Sequence, residues 1–425
     1  MKKNLFLIFL FITVSLNAQE IDTTQVKYIH ELESQIDSLR ITLRSLDNEL
    51  QQIKQNMVEG KSDVDELIAL LNDEDVESVS VESRSRRKRV DALLKAITQR
   101  PGQLRLNGGT TSIIQSGAND TNRHATGVGS IDIYAHTAFG PNTLLFVDLE
   151  AIGGNGPDEF YPNFAGLNGD AGSTQDKENV DRLTVLEAWA EFTMLNKIFT
   201  VTAGKIDMTN YFDNNASAND ETMQFISGAF VNSTAFAMPG NSPGIRLRTT
   251  LNNRIHLQVG MSNIYNSGSD LFENIYKIAS LGFTLFPASD FESNFRFYGY
   301  RHPLAEDAAG WGLSFDKVAY GVYNVFARFG QNDDKMAAYW GIKSAWSAGT
   351  RFVKQITGQT TILGLAFGEN KPNAANRKNE QVLELYARRQ LNKWTHISPH
   401  FQFVSNANGT SEQLTIFGIR THFNF

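Results

Sequence analysis

Two periodicities divide the chain. In residues 29–57 the apolar positions Ile29, Leu32, Ile36, Leu39, Leu43, Leu46, Leu50, Ile53 and Met57 recur at alternating steps of three and four, with Glu, Arg, Gln and Asp on the remaining faces. That is a heptad seam, and it predicts a self-associating coiled-coil rod of roughly 40 Å. Ile at a with Leu at d favours two strands, whereas Leu50 at a with Ile53 at d favours more, so the pattern leaves stoichiometry open, a trimer included. From Leu104 the period becomes two. Ile131, Ile133 and Ala135 alternate with Asp132, Tyr134 and His136, and Leu145, Val147 and Leu149 alternate with Phe146, Asp148 and Glu150. Ile245 and Leu247 alternate with Arg246 and Arg248, Asn252-Asn253 supplies a turn, and Ile255, Leu257, Val259 and Met261 continue the pattern, which predicts a tight hairpin. Further strands are expected within 295–300, 322–329, 361–367, 382–390 and 414–425.

Alternation alone fits a soluble sandwich as well as a membrane barrel. What separates them here is the non-apolar face, which repeatedly carries Asp, Glu, Arg and His, and the connections, which alternate between short turns and long Gly/Asn/Asp-rich loops such as 153–181. Short turns at one end and long loops at the other predict an antiparallel outer-membrane β-barrel. Residues 104–425, at roughly 20 residues per strand and connection, make on the order of 16 strands, and a barrel of that size keeps an aqueous lumen. Phe417, Ile419, Thr421, Phe423 and Phe425 share one face of the last strand, and Phe425 looks like the terminal signal by which the barrel-assembly machinery recognises its substrates.

The remaining segments fit an exported chain. Lys2 and Lys3 precede the apolar run Leu5–Leu16 and a small-residue site at Asn17-Ala18-Gln19, so residues 1–18 read as a signal peptide, too short for a membrane span. Residues 19–60 are then the coiled coil, placed in the periplasm of a Gram-negative cell, and 61–103 a charged linker with a short helix at 90–97. The linker's basic run, Arg84 and Arg86–Arg89, is read as solvated, with contact to anionic lipid or cell-wall material as the alternative. No second long apolar run follows, mean hydropathy is -0.29, and a net charge of -7 argues against a nucleic-acid partner. The chain has no Cys.

No catalytic constellation stands out, and the chain is read as a non-enzyme without cofactor or metal. His396 and His400 have i, i+4 spacing, but Pro399 between them breaks the helix that such a zinc site needs. Gly153-Gly154-Asn155-Gly156 lacks the βαβ context of a phosphate loop. Residues 170–176 lack the ligand alternation and terminal Glu of a calcium loop.

Residues 204–230, GKIDMTNYFDNNASANDETMQFISGAF, begin as a strand and then abandon the period. Asn219 or Asp220 is a good N-cap, and Met223, Ile226 and Phe230 follow at helical spacing, so one amphipathic helix is expected over 220–231. Irregular backbone at membrane depth is tolerated only against protein or a wet cavity. The segment is therefore expected to fold into or over the lumen and narrow it.

Glu187-Ala188-Trp189-Ala190-Glu191, Ala203-Gly204-Lys205-Ile206-Asp207, Tyr211-Phe212-Asp213, Ala218-Asn219 and Phe225 closely resemble the carbohydrate-selective porin family of bacterial outer membranes, most strongly over 183–260. The resemblance implies facilitated diffusion of sugars, embedded in outer-membrane lipid, past a constriction of polar and charged residues. General or ion-selective permeation is the alternative, as is a barrel that anchors a periplasmic tether through its coiled coil, which is not a feature of the best-known members. For a sugar path, Asp207, Asp213, Asn214, Asn215, Asn219 and Asp220 would offer acceptors and amides, and Lys205, Arg246 and Arg248, on the expected inward face, would supply donors opposite carboxylates such as Glu187. Trp189 would stack on a sugar ring if it faces inward; an interfacial belt position is the other reading.

Overall fold

The computed structural model describes residues 102–425 apart from 141, 173–181, 196–197, 252–253, 266–269, 288, 290, 306–307 and 321. The signal peptide, the coiled-coil seam, all but the last two residues of the linker, and the Asn252-Asn253 turn lie outside these residues. Sixteen strands close on themselves: β1 (Arg105–Ala118), β2 (Arg123–Ala138), β3 (Thr143–Asn155), β4 (Arg182–Met194), β5 (Phe199–Ile206), β6 (Ser242–Leu251), β7 (Ile255–Asn263), β8 (Ile275–Leu285), β9 (Ser293–His302), β10 (Ala308–Ala319), β11 (Tyr323–Asn332), β12 (Ile342–Ile356), β13 (Gln359–Pro372), β14 (Glu380–Asn392), β15 (Thr395–Ser405) and β16 (Gln413–Asn424). Every strand pairs antiparallel with its sequence neighbours, and β1 pairs with β16 from Gly109↔Asn424 to Ala118↔Thr415, so no edge is left open. Phe425 continues that seam, exchanging both backbone hydrogen bonds with Gly108.

Period two sorts the side chains. Ile245, Leu247, Leu257, Val259, Phe297, Leu363, Leu365, Phe417 and Ile419 are exposed on the outer face, while Arg246, Arg248, Arg328, Arg351, Glu384, Arg388 and Arg420 are buried inside. This is the reverse of a soluble protein and follows from a hydrocarbon surround with a polar interior. No helix among the described residues is long and apolar enough to cross a membrane; the strands do the crossing.

The connections differ by end. Turns after the even-numbered strands are short, as at 139–142, 195–198, 320–322, 357–358 and 393–394, whereas the β3–β4 and β5–β6 connections occupy 156–181 and 207–241. At the short-turn end, Phe139, Phe192, Phe286, Phe291, Tyr320, Tyr323, Trp394 and Phe425 are all exposed, an aromatic girdle of the kind that sits at a membrane–water interface. Residues 102–104 lead into β1 at this same end.

The helix expected over 220–231 does not form. The α-helices of the β5–β6 connection are α2 (Thr209–Phe212) and α3 (Gly228–Val231), each four residues; α1 (Gly169–Gly172) lies in the β3–β4 connection and α4 (Asp334–Trp340) between β11 and β12. Asp220 does cap one turn, its Oδ1 accepting from the Thr222 and Met223 amides at 2.9 and 3.1 Å. Beyond it the barrel wall takes the groups that a helix would pair. Met223 O accepts from Arg388, Gln224 O accepts from Arg420, and the Ile226 and Ser227 amides donate to Glu384.

Candidate functional site in the barrel lumen

The β5–β6 connection folds into the lumen and is strapped to the wall by arginines. Arg328 of β11 donates to Phe230 O at 2.6 Å and Asp213 O at 2.9 Å. Arg351 of β12 reaches Ala216 O at 3.2 Å, Arg388 of β14 reaches Met223 O at 2.8 Å, and Arg420 of β16 reaches Glu221 O and Gln224 O at 2.7 and 2.9 Å. All four guanidinium groups are buried. A buried cation must be satisfied by acceptors or by an opposite charge, and irregular backbone offers carbonyls that no ladder uses. Each side therefore solves the other's problem, and the loop has one backbone path against the wall.

Carboxylates do the converse for amides. Glu384 of β14 accepts from Ile226 N and Ser227 N at 2.8 and 2.9 Å, and from His400 Nδ1 at 2.9 Å. Glu380 accepts from Phe164 N at 2.9 Å and from Asn408 N at 2.8 Å. Phe164 belongs to the β3–β4 connection, which also turns inward. The two long loops meet backbone to backbone, Gly169 N donating to Ile226 O and Gly228 N to Gly166 O, each at 2.8 Å. A Cβ on Gly228 would lie 2.9 Å from Ala165 O, so the approach requires glycine. Phe225 and Phe230, both inaccessible, bury the apolar side of the loop with Phe326 and Tyr386.

The sequence-expected site residues fall into three groups. Asp213, Asn219 and Asp220 serve the loop itself: Asp213 pairs with Arg328 at 3.3 Å and accepts from Ser233 N at 2.8 Å, Asn219 Oδ1 meets Arg328 at 3.4 Å, and Asp220 caps its turn. Asn219 and Asp220 are partly exposed, as is Asn214 apart from its shielded Oδ1, while Asn215 is buried with its amide on Phe315 O at 3.0 Å. Asp207, just before α2, accepts from Thr209 N at 2.9 Å and from Thr209 Oγ1 at 2.6 Å.

A second group lines the wall. Glu187 is buried and accepts from Trp189 Nε1, Asn210 Nδ2 and Asp207 N between 3.0 and 3.3 Å. Trp189 does face inward, but it is only 8% exposed and stacks on Phe146 at 4.9 Å, so its ring is already occupied. Arg246 lies 4.0 Å over the Tyr211 ring and 3.5 Å from Glu191. Arg248 begins a continuous polar belt across β6–β10. It meets His256 Nδ1 at 2.8 Å, His256 Nε2 meets Thr284 at 3.0 Å, Thr284 donates to Asn294 at 2.9 Å, and Asn294 and Arg296 converge on Asp316 at 2.9 and 2.6 Å. Since a guanidinium only donates, His256 presents an unprotonated Nδ1 and carries its proton on Nε2, which fixes the direction of the whole belt. His256, Asn294 and Arg296 are partly exposed, as polar groups lining a wet lumen are.

Lys205 stands alone and corrects an expectation. Thr200, Thr202, Gly204 and Ile206 hold the inward positions of β5, so Lys205, opposite Ala188 and Pro243, has outer-face parity. Its Nζ reaches Val185 O at 2.5 Å, a long basic chain bending to a polar group from an apolar face. Phe199, Val201 and Ala203 share that outer face, so the period of β5 itself carries the parity of Lys205, and the irregular backbone begins only after Ile206.

Arg328, Arg351, Glu380, Glu384, Arg388 and Arg420 were not singled out from the sequence. Their signal was charge at inward positions of period-two strands; which loop carbonyl each meets has no trace in spacing. They share one further property. Residues 323–425, from the first residue of β11 through β16, match the model of the carbohydrate-selective porin, OprB family. The barrel has the fold of an outer-membrane porin. The match bears out the resemblance read from the sequence, although it falls on the strapping half of the wall and not on 183–260, where the motifs were quoted. The chain is also similar to two structures of Pseudomonas putida OprB. The high-pH form has a TM-score of 0.63 at 13% identity, covering 79% of this chain and 96% of that one, and the low-pH form has 0.53 at 12% identity, covering 79% and 95%. An uncharacterized protein of Aquifex aeolicus is 26% identical over 298 residues, which are 70% of this chain and 85% of that protein.

Proposed function

We propose that this porin passes carbohydrates by facilitated diffusion through a constriction formed where the 207–241 loop narrows the lumen. The observation that carries this reading is the strapping: four buried arginines and Glu384 hold the loop inside the barrel and leave Asn214, Asn219, Asp220 and Thr222 partly exposed on it. The partly exposed His256, Asn294 and Arg296 of the β6–β10 belt supply further donors and acceptors. A hydroxyl-rich solute leaving bulk water needs such groups in place of its hydration, and each must bind weakly, since a tight site does not release its passenger. The residues already committed to the loop's own hydrogen bonds, Asp213 above all, act by positioning.

Swelling of proteoliposomes in isotonic sugar tests the reading. Swelling that falls with saccharide size supports it. No sugar-driven swelling while ions pass freely replaces it with a general or ion-selective porin. The 19–60 segment is taken to be a periplasmic, self-associating arm, and deletion of 19–100 is expected to leave conductance intact.

A further inference from the structure

At the opposite, long-loop end, Phe160 of the β3–β4 connection lies flat on His124, an inward-facing residue at the start of β2; the ring centroids are 4.0 Å apart and the planes 2° from parallel. The phenyl is nevertheless 42% exposed. A singly exposed aromatic is ordinary, but this one is clamped on both sides. Before it, Asp158 accepts from Leu167 N, Asn168 N and Asn163 Nδ2 at 2.7, 3.0 and 3.0 Å. After it, the Tyr161 hydroxyl donates to Gly117 O at 2.7 Å and accepts from His124 N at 3.1 Å. A Cβ at Gly117 would stand 2.6 Å from the Tyr161 ring, so the clamp depends on glycine there. Beside the phenyl, Asn155 Nδ2 donates to Glu159 Oε2 at 3.2 Å in an exposed pair.

We propose that Phe160, backed by His124 and flanked by Asn155 and Glu159, is a docking platform for a neutral saccharide ring at the mouth of the lumen. A pyranose presents a face of C–H groups edged by hydroxyls. The electron-rich face of the phenyl turned away from His124 suits the first, and the amide and carboxylate suit the second. Fixing the ring beforehand lowers the ordering cost of each encounter. The proposal rests on the carbohydrate reading and adds where a passenger is first held.

Planar-bilayer recording with glucose and a linear glucose trimer, added to one side at a time, tests it on the full chain. For wild type, half-block by sugar from the long-loop side is expected at a lower concentration than from the short-turn side. Phe160→Leu should raise the long-loop value about three- to tenfold, the scale of one lost stacking contact, with ion conductance unchanged, and Phe160→Trp should restore it. An unchanged half-block in Phe160→Leu, or no restoration by Phe160→Trp, overturns the platform alone. A wild-type channel that neither sugar blocks overturns it together with the carbohydrate reading.

Discussion

Arg328 Nε lies 3.3 Å from Asp213 Oδ2, and both side chains are completely shielded from solvent. The pair links β11 to the point where the β5–β6 loop leaves α2, and Tyr298 OH and Ser233 N complete the carboxylate's shell at 3.3 and 2.8 Å. Removing one partner of such a pair leaves the other as an uncompensated buried charge, at a cost of about 3–5 kcal/mol. Arg328→Ala is therefore expected to free the loop while the sixteen-strand ladder persists. Larger and noisier single-channel currents, with unchanged β-sheet circular dichroism, are the expected record; wild-type currents would show that the pair does not hold the constriction.

Glu384→Gln removes a carboxylate that faces two backbone donors. One amide oxygen remains for Ile226 N and Ser227 N, and the new NH2 points a donor at a donor, so the loss is about 1–3 kcal/mol confined to the loop. Amide hydrogen exchange at 226–227 should accelerate roughly tenfold or more, with exchange in β14 unchanged.

Arg248 and Lys205 make a matched test of inward against outward parity. Arg248→Ala removes a positive charge from the lumen wall and takes the guanidinium from His256 Nδ1, so the reversal potential in a KCl gradient should move toward cation preference. Lys205→Ala, on the outer face, should leave that potential where it was.

Gly204 has φ +140°, and a Cβ there would stand 2.2 Å from Ala188 O and 2.6 Å from Trp189 Cα. Both the conformation and the space exclude a side chain. Gly204→Ala should lower the yield of folded barrel and its thermal midpoint, a loss of at least ~1–3 kcal/mol of backbone strain, whereas Gly129→Ala, with nothing within 4 Å of the added atom, should be tolerated.

The barrel was legible because period two is written locally. Each strand's alternation of Leu, Ile and Phe with Arg, Glu and His states which face meets hydrocarbon, and sixteen repeats of it, with turns of unequal length, leave few other ways to satisfy every backbone group in a membrane. The inward insertion of 207–241 was legible for the same reason, through its polar, aperiodic backbone. The hairpin strands on either side of 252–253 pair as expected, Leu251 with Ile255.

The conformation of the loop once inside was set by contacts remote in the chain. Helical spacing at Met223, Ile226 and Phe230 is a weak local preference, and it lost to Glu384, Arg388 and Arg420, which lie some 160 to 200 residues away in the chain and bind the very carbonyls and amides that a helix would pair. Charge-assisted hydrogen bonds in a buried site outweigh a propensity of a few tenths of a kcal/mol per residue. Period two along each strand already points these charges into the barrel; closure of the sheet set what they meet there, because the distance across a lumen is not encoded in any spacing along a strand.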